Sequence, residues 1–101
     1  MDYYFEFNYE KNLKLLRDRK VSFEQIIALI EAGYIVDIVN HPNQEKYEGQ
    51  KIYIIDVDGY CYLVPFVINN HQIFLKTIIP SRKATKNYNI NNKSIKPQTE
   101  D

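Results

Sequence analysis

The chain has 101 residues, 45% of them hydrophobic, which suits a single domain with one core. Thirteen basic residues balance thirteen acidic ones, so the net charge favours no class of partner. The single cysteine excludes an internal disulfide, and the apolar runs are much shorter than the roughly 20 residues of a membrane-spanning helix. We therefore expect a soluble, cytoplasmic protein that does not bind membranes and carries no targeting segment.

The chain begins with a predicted strand and helix. The sequence DYYFEFN alternates aromatic and polar residues as a strand does. Asn8 is then placed to cap a helix over roughly Tyr9 to Arg19. We expect Leu13 and Leu16, with Leu15 as a further candidate, to give this helix a narrow apolar face.

A second helix is predicted from Phe23. The sequence SFEQ, Ser22 to Gln25, has the form of a capping box, in which the serine hydroxyl accepts a hydrogen bond from the Gln25 N–H. Phe23, Ile26, Ile27 and Ile30 follow the helical apolar spacing. Gly33 is a natural residue for the helix end.

Four strands are predicted after Gly33, with the sequences YIVDIV, KIYIIDV, YCYLVPFVI and QIFLKTII. Asp58-Gly59 predicts a two-residue type I′ hairpin, and Asn69-Asn70-His71 the next turn. Pro65 predicts a bulge or a locally unpaired N–H side, because proline cannot donate to a ladder. The order is one strand, two helices and a four-strand antiparallel meander, which makes an α+β fold with the helices on one face of the sheet.

We expect one domain over residues 1–88, followed by a polar, loosely held tail over residues 89–101. The other face of the sheet need not be buried, so it predicts a concave surface open to a ligand.

Most enzymatic signatures are missing from the sequence. Three glycines leave no room for a Gly-rich phosphate loop, and there is no nucleophile elbow. Two histidines and one cysteine make a poor zinc site. We therefore predict no metal and no cofactor.

A basic segment follows the last predicted strand. Six cations and no acid lie between Lys76 and Lys96, whereas the acids gather in the first sixty residues. Arg82 could bind a phosphate with its planar fork, and Lys83 could add a point charge. Lys76 either extends to the rim of the sheet or lines its open face, and Tyr88 could stack on a base. The segment is either a solvated tail or a patch that binds polyanions.

His41 is the other candidate. It ends the second strand just before Pro42, where an imidazole could exchange protons near neutral pH, although an ordinary loop histidine is the simpler interpretation. We expect Lys76, Arg82 and His41 to meet in one positively charged hollow that can hold a phosphodiester.

Five segments carry a resemblance to a known family: FNYEKN, VSFE, DIVNHPNQEKY, YLVPFV and IFLKTIIPSRKATKNY. Over about residues 4 to 88 the chain resembles the BrnT-type toxins of bacterial type II toxin–antitoxin systems. The last segment, with its Ser-Arg-Lys-Ala core, is the most specific.

The resemblance implies a RelE-like fold and a metal-independent ribonuclease that blocks translation. It also implies a small cognate antitoxin with a ribbon–helix–helix part, which would supply the contact with operator DNA. In that family the arginine of Ser-Arg-Lys-Ala is functional, and it corresponds to Arg82. Arg82 and Lys76 would then stabilise the phosphate, His41 would act as base or acid, and Lys83 or Tyr88 would complete the catalytic set. The alternative is a non-catalytic module that binds RNA or a partner.

Overall fold

The computed structural model describes residues 2–88, and the predicted tail over residues 89–101 lies outside them. The elements in chain order are β1 (Tyr4–Glu6), α1 (Tyr9–Arg19), α2 (Phe23–Glu31), β2 (Ile35–Asn40), β3 (Lys51–Val57), β4 (Tyr60–Asn69), β5 (Gln72–Leu75), β6 (Ile79–Pro80) and α3 (Arg82–Asn87).

Side-chain caps fix the starts of the first two helices. The Asn8 Oδ1 atom accepts a hydrogen bond of 2.8 Å from the Lys11 N–H. The Ser22 hydroxyl accepts one of 3.1 Å from the Gln25 N–H. Each cap satisfies an N–H that has no partner inside its helix, so the predicted positions of α1 and α2 are confirmed.

The predicted apolar face of α1 is wrong for Leu13 and Leu16 and right for Leu15. Leu13 and Leu16 are about half exposed, at 46% and 49%, whereas Asn12 and Leu15 are buried. Asn12 faces inward because its Oδ1 atom accepts a hydrogen bond of 2.6 Å from the Phe23 N–H at the start of α2. α1 is therefore oriented by a polar contact with α2, which apolar spacing does not reveal.

The sheet has the strand order β1-β5-β4-β3-β2. The strands from β2 to β5 form the predicted antiparallel meander. Asp58 and Gly59 have φ of 55° and 86°, as a type I′ turn requires, so that hairpin is confirmed. β1 pairs with β5 in parallel and forms the edge opposite β2.

The last predicted strand is divided. β5 ends at Leu75, and the chain resumes pairing only at β6, which lies against the first half of β4. Pro65 lies on β4 between the segment that pairs with β5 and the segment that pairs with β6. No strand pairs with β4 on this side at Pro65, so the missing N–H costs no hydrogen bond of the sheet. Pro65 is in regular register with Ile52 on β3, so there is no bulge at this position.

Apolar side chains fill both sides of the sheet. The main core lies between the helices and the sheet, and its fully buried members include Phe23, Ile26, Ile55, Val64 and Leu75. A smaller cluster on the opposite face joins Ile54 and Cys61 to Ala84 of α3. α3 thus covers part of the face that was expected to stay open.

The fold is a compact α+β structure with a mixed sheet and three helices within residues 2–88. The predicted class and the predicted meander are confirmed, and α3 is an element that the sequence interpretation missed. No helix in the described residues is long and apolar enough to cross a membrane.

Candidate nucleic-acid interface

α3 begins directly after β6, at a serine cap. The Ser81 hydroxyl accepts a hydrogen bond of 3.0 Å from the Ala84 N–H. Pro80 precedes the cap and has no backbone N–H to donate within a helix. The residues after Ser81 do not alternate between apolar and polar as a strand does. A serine followed by Arg-Lys-Ala is a local signal for a helix start, which the expectation of a basic tail or patch did not include.

A buried threonine fastens α3 to β4. The Thr85 hydroxyl accepts a hydrogen bond of 2.8 Å from the Cys61 N–H and donates one of 2.8 Å to the Ser81 carbonyl. The Ser81 N–H in turn donates to the Cys61 carbonyl at 2.9 Å. Both backbone groups of Cys61 are therefore bound by the segment that starts α3, which fixes the helix on the sheet.

The end of α3 is held by the edge strand β2. The Tyr88 hydroxyl donates a hydrogen bond of 2.7 Å to Oδ2 of Asp37, whose Oδ1 accepts the Ile38 N–H at 2.8 Å. The bond to Asp37 raises the pKa of Tyr88 above its ordinary value, with a smaller contribution from burial. Tyr88 is therefore engaged in structure, and its pKa is shifted away from the range a proton donor near neutral pH would need.

The outer face of α3 carries three cations. Arg82, Lys83 and Lys86 are exposed, whereas Ala84 and Thr85 are buried against the sheet. Side chains three and four residues apart on a helix are neighbours, so the three cations form one patch, which we call the α3 patch. The helix contains no acid, and none of the three forms an ion pair within residues 2–88.

Lys76 lies on the same side of the sheet as α3. Ile73 and Leu75 of β5 point into the main core, so Phe74 and Lys76 face the opposite way. The Lys76 ammonium lies 5.8 Å from the centre of the Phe74 ring, and its backbone N–H donates to the Pro65 carbonyl. From Pro65 to Cys61 along β4 is about 13 Å at 3.3 Å per residue, so the backbone of Lys76 meets β4 well away from the point where α3 is attached.

His41 lies at the far end of the sheet from Arg82. The backbone N–H of His41 donates to the Gln50 carbonyl, next to the start of β3. Arg82 follows Ser81, which is hydrogen-bonded to Cys61 on β4, and Cys61 pairs with Asp56 near the end of β3. From Gln50 to Asp56 along β3 is about 20 Å at 3.3 Å per residue.

The imidazole of His41 is engaged in its own loop. Its Nδ1 atom accepts the Asn43 N–H at 3.0 Å, and its ring centre lies 4.2 Å from that of Tyr47. Both contacts hold the ring within the loop that follows β2, where it serves as a loop anchor.

The single hollow expected for Lys76, Arg82 and His41 is therefore not formed. The sheet surface between them is covered in part by the buried side of α3 and by the apolar cluster of Ile54 and Cys61. The structure brings Arg82 and Lys83 together and adds Lys86, which was not among the predicted site residues. Its spacing of four residues from Arg82 is the signal that could have identified it.

The side chains that ligate metals are dispersed over residues 2–88. Within this part of the chain, no group of three or more His, Cys, Asp and Glu side chains is placed to hold a metal ion. The arrangement of the α3 patch can bind anions through charge and through the guanidinium fork of Arg82.

Comparisons with protein-family models, with curated proteins and with solved structures found no match for this chain.

Proposed function

We propose that this chain is the toxin of a type II toxin–antitoxin pair and that it acts by binding RNA through the α3 patch. The observation that carries the proposal is the exposed row of Arg82, Lys83 and Lys86 on a helix without acids. A row of cations attracts the phosphate backbone of RNA independently of base sequence. Because hydrogen bonds hold both ends of α3 on the sheet, its backbone loses little conformational freedom when the patch binds a ligand.

A polyanion patch fits this chain better than a catalytic centre. Cleavage through the 2′-OH of RNA needs a base and an acid beside the phosphate. His41 lies about 20 Å along the sheet from the start of α3, and Tyr88 donates to Asp37. The non-catalytic alternative drawn from the sequence is therefore favoured over the metal-independent ribonuclease.

RNA binding is tested by replacing the α3 patch. We expect the triple variant Arg82→Gln, Lys83→Gln, Lys86→Gln to bind a fluorescein-labelled single-stranded RNA more weakly in fluorescence anisotropy. The slope of log K against log salt should become shallower by about 0.7 for each phosphate that is no longer neutralised, hence by about 2 in total. The three side chains are exposed, so their replacement should leave the free energy of unfolding nearly unchanged.

The matched control removes three exposed cations from α1 and its C-cap, in the variant Lys14→Gln, Arg17→Gln, Lys20→Gln. This control lowers the net charge equally and leaves α3 intact. If it weakens RNA binding as much as the α3 variant does, the attraction is one of overall charge and the proposed interface is wrong.

Ribonuclease activity is tested separately by the ends of the RNA products. Attack by the 2′-OH leaves a 2′,3′-cyclic phosphate, which mass spectrometry detects. If such ends form, Arg82→Gln should slow their formation about 10²- to 10³-fold, as expected when one preorganised donor is removed. If RNA stays intact while it is bound, the chain acts by occlusion.

The toxin role is tested by expression in a bacterial host. The chain alone should arrest growth, and co-expression of the cognate ribbon–helix–helix antitoxin should relieve the arrest. We expect operator DNA to be bound by the complex through the antitoxin and not by the lone chain. Normal growth with the folded, RNA-binding chain present would exclude the toxin role.

A further inference from the structure

One face of α1 and the chain between β5 and β6 partly enclose a cavity of about 150 Å³, which we call the α1 pocket. The residues that line it are Lys11, Lys14, Leu15, Asp18, Arg19 and Thr77. The first four follow the spacing i, i+3, i+4, i+7, so they share one face of the helix. Leu15 is 6% exposed and belongs to the main core, so the pocket is closed on that side by a packed side chain.

A backbone carbonyl holds the arginine of the pocket in place. The Nη1 atom of Arg19 donates a hydrogen bond of 2.6 Å to the Ile78 carbonyl. A guanidinium carries several N–H donors, and this bond uses one of them. The remaining donors keep the planar fork that matches the oxygens of a phosphate. Arg19 is therefore a charged donor whose orientation is set before any anion binds.

The charges of the pocket favour an anion. Lys11, Lys14 and Arg19 bring three positive charges and Asp18 brings one negative charge, which leaves a net charge of +2. None of the three cations forms an ion pair within residues 2–88. The Asp18 carboxylate is paired at 3.1 Å with Arg17, which does not line the pocket, so the one negative charge is partly balanced from outside.

We propose that the α1 pocket binds a single dianionic phosphate group, either as free phosphate or as the terminal monoester of a larger molecule. A phosphate monoester carries a charge of about −1.5 to −2 near pH 7 and three acceptor oxygens, which match the net charge and the donors of the pocket. An engineered protein cavity of about 150 Å³ holds benzene, so one phosphate group fits in this volume. The pocket lies on the helix side of the sheet, opposite α3, and the inference does not depend on RNA binding.

Charge selects this ligand over other anions. A carboxylate carries one negative charge, and so does each phosphodiester of an RNA chain. Either group would leave half of the net charge of the pocket unbalanced. A dianionic phosphate balances it and can also accept a hydrogen bond from the hydroxyl of Thr77.

The test is isothermal titration calorimetry on the full chain in a buffer without phosphate, with the ionic strength kept constant by sodium chloride. The probes are inorganic phosphate, adenosine monophosphate and adenosine. We expect the probes with a phosphate to bind and adenosine, which lacks it, not to bind. Binding of inorganic phosphate alone identifies the free ion as the ligand, whereas tighter binding of adenosine monophosphate identifies a terminal monoester.

Variants of the pocket locate the binding. Arg19→Gln should weaken phosphate binding about tenfold or more, because a charge-assisted hydrogen bond is lost, and Arg19→Lys should weaken it less, because the charge is kept and only the fork is lost. Lys11→Gln should weaken it as well, and it leaves the bond between Arg19 and Ile78 intact. Asp18→Asn should tighten binding, because it removes the negative charge from the pocket.

The matched controls are Lys46→Gln and Glu45→Gln in the loop between β2 and β3. Both side chains are exposed, and neither lines the α1 pocket. The two substitutions change the net charge by the same amounts as those at Lys11 and Asp18, and phosphate binding should stay unchanged in both. Circular dichroism and urea unfolding show that each variant is folded before its binding is compared.

Four results would overturn the inference. The first is that neither inorganic phosphate nor adenosine monophosphate binds, and the second is that adenosine binds as tightly as its monophosphate. The third is that the folded variants Arg19→Gln and Lys11→Gln bind phosphate as the unchanged chain does, or no more weakly than Lys46→Gln. The fourth is that phosphate binding is lost in the triple variant of the α3 patch, which would place the ion on α3.

Discussion

The hydroxyl of Thr85 is the most sensitive point in the attachment of α3. Thr85 is 3% exposed, and its hydroxyl accepts the Cys61 N–H at 2.8 Å. Thr85→Val keeps the shape of the side chain but leaves this N–H buried without a partner. The Ser81 carbonyl loses its bond from the hydroxyl but keeps the one from the Thr85 N–H at 3.1 Å, so the effect on that carbonyl is minor.

The expected decrease in unfolding free energy is that of one buried, unsatisfied N–H, about 1–3 kcal/mol. Small domains have urea m-values of about 1–3 kcal/mol/M, so the urea midpoint followed by circular dichroism should fall by roughly 1 M. The control is Thr77→Val, because Thr77 is half-buried and its hydroxyl has no hydrogen-bond partner in the described residues. If Thr85→Val unfolds at the same urea concentration as this control, the hydroxyl does not fasten α3 and the reasoning is refuted.

Three further substitutions test other parts of the fold. Asn12→Leu should lower the urea midpoint, because it leaves the buried Phe23 N–H without an acceptor. The hydrogen bond from Asn12 is also the main cause of the lowered pKa of Glu24. A lowered carboxyl pKa stabilises the fold above the pKa of the unfolded chain, and this stabilisation is lost as the pH falls through the pKa of the folded chain. The drop in urea midpoint from pH 7 to about pH 3 should therefore be smaller in Asn12→Leu than in the unchanged chain. Tyr88→Phe removes one partly buried hydrogen bond and should cost about 0.5–1.5 kcal/mol, read from the same urea curves. Gly59→Ala should cost about 1 kcal/mol from the positive φ alone, since an added Cβ would meet no atom within 4 Å, and Gly59→Asn should cost less.

Local signals in the sequence predicted the elements whose ends are fixed by neighbouring residues. Asn8 and Ser22 cap helices through bonds to residues three positions away, so the starts of α1 and α2 could be predicted. The hairpin at Asp58-Gly59 depends only on the φ values that these two residues tolerate. Each of these features is specified within about four residues.

Features that depend on distant contacts could not be predicted. The rotation of α1 depends on Asn12 meeting the first N–H of α2, which turns Leu13 and Leu16 outward. The position of α3 depends on Thr85 reaching Cys61 on β4, 24 residues earlier in the chain. The same reason accounts for the failed hollow, since placing Arg82 relative to His41 requires the register of three strands.

The thiol of Cys61 lies under α3, so its reaction with a thiol reagent can report when α3 opens. It is the single thiol of the chain and has no exposed surface, and burial is the main cause that raises its pKa. Its backbone is bound by Ser81 and Thr85, so a thiol reagent can reach the sulfur only when α3 lifts from the sheet or the whole domain unfolds. The rate of its labelling therefore reports how often α3 opens, and a ligand that pulls on the α3 patch would quicken that rate whereas one that clamps it would slow it.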